Sequence, residues 1–232
     1  THHGAYDLAY LRPIPNMTIC APLDEYELAE MLRLAEVGCG PWAIRYPRGR
    51  GAGIRLAQQD ELKNTEGNVA GKSFRDSKDA KDPMAALPCP SSPIIVGHGR
   101  RITAGENIAI LSLGAVGQNA HAAVRMLRDK GINAAHYDLR FLKPLDLALL
   151  QEVALNFHSV YTVEDGTVIG GFGSAVLEAL NGMGYKGRIH ILGIPDRFIG
   201  HGTVAQLQAL CGYSGEEIAK RVENDMRCEK AE

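Results

Sequence analysis

The sequence predicts an α/β protein whose main part is a doubly wound, mostly parallel sheet. Three observations carry this reading. Short apolar, β-branched runs recur through the second half of the chain, at Asn107–Leu113, Ala134–Leu139, Val160–Val163 and Ile189–Gly193. Segments with helical spacing of apolar residues separate them, which is the alternation that buries a parallel sheet between helices. Glycine, proline and capping residues punctuate the joints, as at Gly131, Thr203 and Ser214.

In order, residues 1–16 are broken by Gly4, Pro13 and Pro15 and read as mostly loop, with a short helix over Tyr6–Leu11. Met17-Thr18-Ile19-Cys20-Ala21 reads as a buried strand. Asp24 with Glu27 resembles a capping box, and Leu28, Met31, Leu32 and Ala35 form the predicted apolar face of the helix it opens. Gly38 and Gly40 end that helix. Trp42–Tyr46 is the next strand, stopped by Pro47. Strand, helix and strand at this spacing make one βαβ unit, which places ligands near the carboxyl ends of its strands.

Residues 57–93 change character. They are rich in Lys, Asp, Glu, Asn, Ser and Gly and then in proline, and cannot bury enough apolar surface to offset ordering entropy. The expected division is therefore 1–56, a linker over 57–93, and an α/β domain over 94–232. In that last part, helices are predicted over Val116–Lys130, around Leu147–Ala154, over Ser174–Leu180, from Thr203 to Leu210, and from Ser214 to about Val222. With one βαβ unit, residues 1–49 are expected to pack poorly on their own.

Composition excludes several functions. The 232 residues are 45% hydrophobic and 22% charged with a formal net charge of −2, so no general nucleic-acid or membrane-surface binder is indicated. No apolar run reaches the length of a membrane span. The five cysteines, Cys20, Cys39, Cys89, Cys211 and Cys228, are widely spaced and odd in number. They read as reduced thiols of a cytoplasmic protein rather than disulfides or a zinc site.

Four groups of residues could carry chemistry. His2 and His3, between Thr1 and Gly4, suit proton transfer or hydrogen bonding to a substrate oxygen, with a structural histidine pair as the alternative. Arg45 and Arg48 flank Tyr46-Pro47 and suit anion recognition, because a guanidinium is a rigid donor fork that matches phosphate. Solvated arginines at a strand end are the equal alternative, and Arg50 is the weaker partner. Gly170-Gly171-Phe172-Gly173 stands before a helix and could cradle a phosphate, although close strand–helix packing is the favoured reading. Glu164-Asp165 at a strand end could orient a ligand or metal, with a charged turn preferred.

Taken together, several stretches resemble the 1-deoxy-D-xylulose-5-phosphate synthases. They are Thr1-His2-His3-Gly4-Ala5-Tyr6-Asp7, Leu11-Arg12-Pro13-Ile14-Pro15-Asn16-Met17, Ala21-Pro22 with Asp24-Glu25, and Arg45-Tyr46-Pro47-Arg48-Gly49. Tyr137–Asp146, Thr162–Asp165 with Gly170–Ser174, and Gly193–Asp196 with Gly202-Thr203 continue the resemblance. It implies the later part of a pyrimidine-binding domain over 1–56 and a transketolase C-terminal-like α/β domain over 94–232. It also implies a homodimeric thiamine diphosphate and magnesium enzyme that joins pyruvate to D-glyceraldehyde 3-phosphate with loss of CO2. By the same resemblance, His2 matches a histidine that contacts substrate and Arg48 an arginine that binds the phosphate of the aldehyde.

The family's Gly-Asp-Gly cofactor motif does not occur in these 232 residues. The chain also begins inside the Thr-His-His-Gly stretch, upstream of which the family places the glutamate that activates the thiamine ring. The expectation is a fragment, inactive alone, with no cofactor-binding or metal residues of its own. The rival readings are a transketolase-like or 2-oxo acid dehydrogenase beta-type component that needs a partner chain, and a non-catalytic assembly domain.

Overall fold

The computed structural model describes residues 4–49 and 94–229. The predicted linker, His2, His3 and Arg50 lie outside the described residues. The main body is a five-stranded sheet in the order β3-β5-β4-β7-β8. Its strands are β3 (Arg100–Thr103), β4 (Asn107–Leu113), β5 (Ala135–Asp138), β7 (Phe157–Thr167) and β8 (Arg188–Ile194). The pairs β4–β5, β4–β7 and β7–β8 are parallel, while β3 runs antiparallel on the edge against β5. The central strand β4 is buried from Ile108 to Leu113, which is why it reads as an unbroken apolar run rather than an alternation.

Helices cover both faces. On one, α3 (Gly117–Arg128) and α7 (Gly215–Glu229) pack Val116, Val124, Leu127, Ile218 and Val222 against Ile110, Tyr161 and Val163. On the other, α4 (Leu147–Asn156) and α5 (Phe172–Gly182) pack Leu150, Val153, Phe172, Val176 and Leu180 against Leu111, Tyr137 and Val160. A short helix α6 (Val204–Leu210) has no buried residue and lies along the rim.

Residues 4–49 form α1 (Asp7–Leu11), β1 (Thr18–Cys20), α2 (Glu25–Val37) and β2 (Trp42–Ile44). β1 and β2 are parallel, as the βαβ reading requires. The unexpected partner is β6 (Phe141–Lys143), which joins β1 antiparallel and completes a three-stranded sheet. The first segment therefore borrows a strand from the later domain. It also shares its core: Leu8, Ile19 and Ala21 belong to the same apolar cluster as Leu111, Leu142 and Phe172. Leu8 and Ile19 are buried to 3% and 0% exposure, each contributing about 1.5–3 kcal/mol.

Polar groups tie the same boundary. The buried Glu27 carboxylate lies 2.9 Å from Arg140 Nε and 2.7 Å from Arg100 Nη2, and its other oxygen accepts from Leu23 N at 2.9 Å. Buried Asp138 lies 3.5 Å from Arg100 Nε and accepts from Arg140 N at 3.2 Å. Burial, then the Glu27 charge, pushes the Asp138 carboxyl up to about 7. Lys143 Nζ donates to the carbonyls of Arg12 and Ile14 at 3.0 and 2.6 Å. Asp146 caps α4 through Leu149 N and also accepts from Gly99 N, both at 2.9 Å. The Lys143-Pro144-Leu145-Asp146 stretch is thus architectural at both ends.

Two expectations need correction. β3 and β6 were not anticipated. The predicted face of α2 is also shifted: Met31 is buried as expected, but Leu32 is 47% exposed, and the helix also buries Tyr26, Glu27 and Ala29. The apolar pattern misplaces the face because a carboxylate paired with two arginines occupies the interior position.

Candidate functional site

The carboxyl ends of β1, β2, β4 and β7 converge on one side of the molecule. Beyond β2 the chain runs through Tyr46 and Pro47 to Arg48, and beyond β4 it turns through Gly114 into α3. Between them lies a cleft of about 700 Å³, lined among others by Asp24, Arg48, Asn119, Asp165 and Gln208. A smaller hollow of about 340 Å³ adjoins it, lined by Gly4, Arg45, Arg197, Leu207 and Tyr213. Asp165 and Gln208 border both.

Arg48 is exposed and has no hydrogen-bond or ion-pair partner among the described residues. The amides beside it are engaged. Asn119 Nδ2 donates to Gln208 Oε1 at 2.9 Å and to the Tyr213 carbonyl at 3.1 Å, and Gln118 Nε2 reaches the Leu23 carbonyl at 3.5 Å. Arg48 is thus the cation this cleft offers to a ligand. Arg45, three residues earlier, is occupied differently. Its guanidinium donates to the Gly4 carbonyl at 3.3 and 3.2 Å and to the Asp165 carbonyl.

Glu164 and the glycine-rich stretch, read separately in the sequence, are one unit. The Glu164 carboxylate is fully buried and accepts from Phe172 N and Gly173 N, both at 2.8 Å. It fills the amino terminus of α5, where the backbone donors and the helix dipole favour an anion. A Cβ on Gly171 would stand 2.2 Å from Glu164 Oε2, and one on Gly173 would stand 2.4 Å from Ile191 Cγ2 on β8. The glycines permit this carboxylate and close helix–strand packing, so the loop holds an internal anion in place of a phosphate. The charged-turn reading of Glu164 is corrected accordingly. Its burial pushes the carboxyl up to about 7, against the two backbone bonds and then Arg45 and Arg12, which pull it down.

Asp165 remains at the surface of both hollows. Its Oδ1 accepts from the Tyr213 hydroxyl at 2.7 Å, and its Oδ2 stands 3.9 Å from Arg45 Nη2. Burial and then Asp165 raise the Tyr213 phenol well above its ordinary value. No sequence signal pointed to Tyr213, which lies 48 residues away from its partner. Among the described residues, no three His, Cys, Asp or Glu side chains are placed to hold a metal ion, and none of their helices is long and apolar enough to cross a membrane.

A mostly parallel α/β domain joined by a parallel βαβ unit through one antiparallel strand, with an open cleft at the strand ends, defines a class. The chain belongs to the transketolase family: residues 97–218 match the transketolase C-terminal domain and residues 1–52 the transketolase pyrimidine-binding domain. Curated relatives include 1-deoxy-D-xylulose-5-phosphate synthases. That of Bacteroides thetaiotaomicron is 42% identical over 224 residues, covering 96% of this chain and 30% of the relative. That of Magnetococcus marinus is 41% identical over 222 residues, covering 94% and 30%. The chain thus spans 30% of the length of these relatives.

Among solved structures, an inactive β4 tetramer of a split-gene transketolase matches with a TM-score of 0.74 at 28% identity, over 95% of this chain and 61% of that one. A Pichia stipitis transketolase matches with a TM-score of 0.58 at 15% identity, over 95% of this chain and 26% of that one, a likeness of fold.

Proposed function

We propose that this chain supplies the phosphate-recognising side of a thiamine diphosphate-dependent 1-deoxy-D-xylulose-5-phosphate synthase. The substrates of this reaction are pyruvate and D-glyceraldehyde 3-phosphate, and the products are 1-deoxy-D-xylulose 5-phosphate and CO2. The observation that carries the reading is Arg48, an exposed guanidinium without a protein partner among the described residues, on a cleft at the carboxyl ends of parallel strands. Such ends are where ligands bind in open α/β sheets. A guanidinium facing a phosphate dianion forms two parallel charge-assisted hydrogen bonds, stronger than neutral ones. Arg48 then binds and orients the phosphate end of the aldehyde. His2, outside the described residues, is assigned to substrate contact and proton transfer through the family resemblance.

Thiamine diphosphate and magnesium belong to this reaction class, but the described residues do not fit them. The Gly170–Gly173 helix start is filled by Glu164, and no acidic cluster among the described residues stands ready for the metal. The reading further places the protein in the cytoplasm as a homodimer in the intact enzyme. The inactive β4 tetramer of a split-gene transketolase, of which this chain covers 61%, supports the idea that part of such an enzyme assembles without turning over.

The test is titration of the 232-residue chain with glycerol 3-phosphate, a non-reacting analogue of the aldehyde. Binding that falls about tenfold or more in Arg48→Ala is the expected result, and equal binding by the two proteins would refute the assignment. Incubation of the chain with both substrates, cofactor and magnesium is expected to give no product.

A further inference from the structure

Arg45 reaches three segments at once. Its Nε and Nη2 donate to the Gly4 carbonyl at 3.3 and 3.2 Å, Nη2 also donates to the Asp165 carbonyl, and the Asp165 carboxylate stands 3.9 Å away. The far side of Asp165 is held by the Tyr213 hydroxyl at 2.7 Å. A second strut lies beside the first, where Thr167 N donates to the Ala5 carbonyl at 2.8 Å. The neighbouring Glu164 is locked into the start of α5. The carboxyl end of β7 is therefore rigid, and Arg45 pins the carboxyl end of β2 to it.

This arrangement separates two arginines that the sequence presents as a pair. Nε and Nη2 of Arg45 are directed at main-chain carbonyls, so that edge of its fork is not available to a phosphate. Arg48 follows on the same strand exit, past Tyr46 and Pro47, and the fixed φ of Pro47 leaves few ways for the connection to bend. We infer that Arg45 is a positioning residue, which sets where Arg48 stands in the cleft by clamping Gly4 and the β2 exit to Asp165. This inference rests on the phosphate reading of Arg48. It adds that phosphate affinity depends on a residue that does not touch the phosphate.

Calorimetric titration with glycerol 3-phosphate tests it on the full 232-residue chain, comparing Arg45→Lys, Arg45→Ala, Arg48→Ala and the double variant Arg45→Ala/Arg48→Ala. Arg45→Lys keeps the charge but not the spaced pair of donors. The clamp therefore predicts that both Arg45 variants weaken binding by about tenfold. It also predicts that the double variant binds no more weakly than Arg48→Ala alone, because sites that act through one another are not additive. Full affinity in Arg45→Lys, or additive losses in the double variant, would overturn the inference.

Amide NMR shifts of Ala5 and Gly166, the residues that follow the two clamped carbonyls, provide the second readout. They are expected to move in Arg45→Lys without any ligand, and unchanged shifts would also overturn the clamp. Should Arg48→Ala leave affinity untouched while these shifts move, the phosphate reading falls and the clamp stands only as architecture. Moved shifts with the predicted affinity pattern support both.

Discussion

Two pairs of arginines sit at the boundary between residues 4–49 and the main sheet, and their surroundings differ. Arg100 and Arg140 are drawn onto the buried carboxylates of Glu27 and Asp138, and each serves both acids. Arg45 and Arg48 stand at the strand ends, where Arg45 is held by carbonyls and Arg48 is left without a partner among the described residues. The first pair is occupied by the buried carboxyl groups, so it joins two segments and offers nothing to a ligand. The second pair keeps one guanidinium without a partner among the described residues, at the edge of a cleft. Removing a side chain from the first pair's network should cost stability, and removing one from the second should cost binding.

The largest expected effect breaks the buried network. Glu27→Ala leaves two guanidiniums facing each other without their shared carboxylate, and a loss of about 3–5 kcal/mol is expected in urea unfolding. An unfolding midpoint equal to that of the parent chain would contradict the role given to this cluster. Next comes Glu164→Ala, which removes the anion from the start of α5. It should cost about 1–2 kcal/mol, the scale of a lost helix cap. Lys143→Met frees the carbonyls of Arg12 and Ile14, and about 1 kcal/mol is expected from the loss of these hydrogen bonds. At the other end, Arg48→Ala should change stability by less than about 0.5 kcal/mol, as for an exposed side chain without partners.

The pH dependence sharpens the same contrast, because the titratable groups moved most lie in the interior. Asp138 and Glu164 are both raised to about 7 from ordinary values of 3.8 and 4.5. A carboxyl raised in the folded state contributes stability below its ordinary value, and that contribution is lost as the pH rises through about 7. His136 has the opposite sign. It is fully buried with its Nε2 2.9 Å from Ser112 Oγ, and burial, then His121 and Arg100, lower it to about 3 from 6.5. Its contribution is present above 6.5 and lost as the pH falls towards 3. Two carboxyls outweigh one imidazole across this span, so urea midpoints should fall as the pH rises from about 5 through about 7. Glu164→Gln should make this fall shallower, and an unchanged slope with a uniform shift at every pH would show that Glu164 does not titrate in the fold.

The parts of the fold legible in the sequence were those governed by local pattern. β4 runs from Asn107 to Leu113 as its apolar run indicates, and Thr203 opens α6 with a full capping box to Gln206. The antiparallel additions β3 and β6 were not legible. β3 opens with two arginines, of which Arg100 is half-buried against distant carboxylates and Arg101 is exposed, and β6 has three residues, too few to show a period. The shifted face of α2 has the same origin, since Glu27 is stabilised inside by Arg100 and Arg140 from far along the chain. Within the site, Arg48 stood out because proline and glycine flank it. The joining of Glu164 to Gly171 and Gly173 could not be read locally, because the sheet and the turn after it bring the carboxylate to the helix start. Arg45 and Arg48 look alike as sequence, and what separates them is the position of Gly4 and Asp165.

The measurement that bears most directly on this account is the affinity of the chain for glycerol 3-phosphate, taken together with its urea midpoint, before and after Arg48→Ala. The account predicts about a tenfold or greater loss of affinity with the midpoint unchanged. Undiminished binding in Arg48→Ala would contradict it, because the free guanidinium on the cleft would then have no part in holding a phosphate.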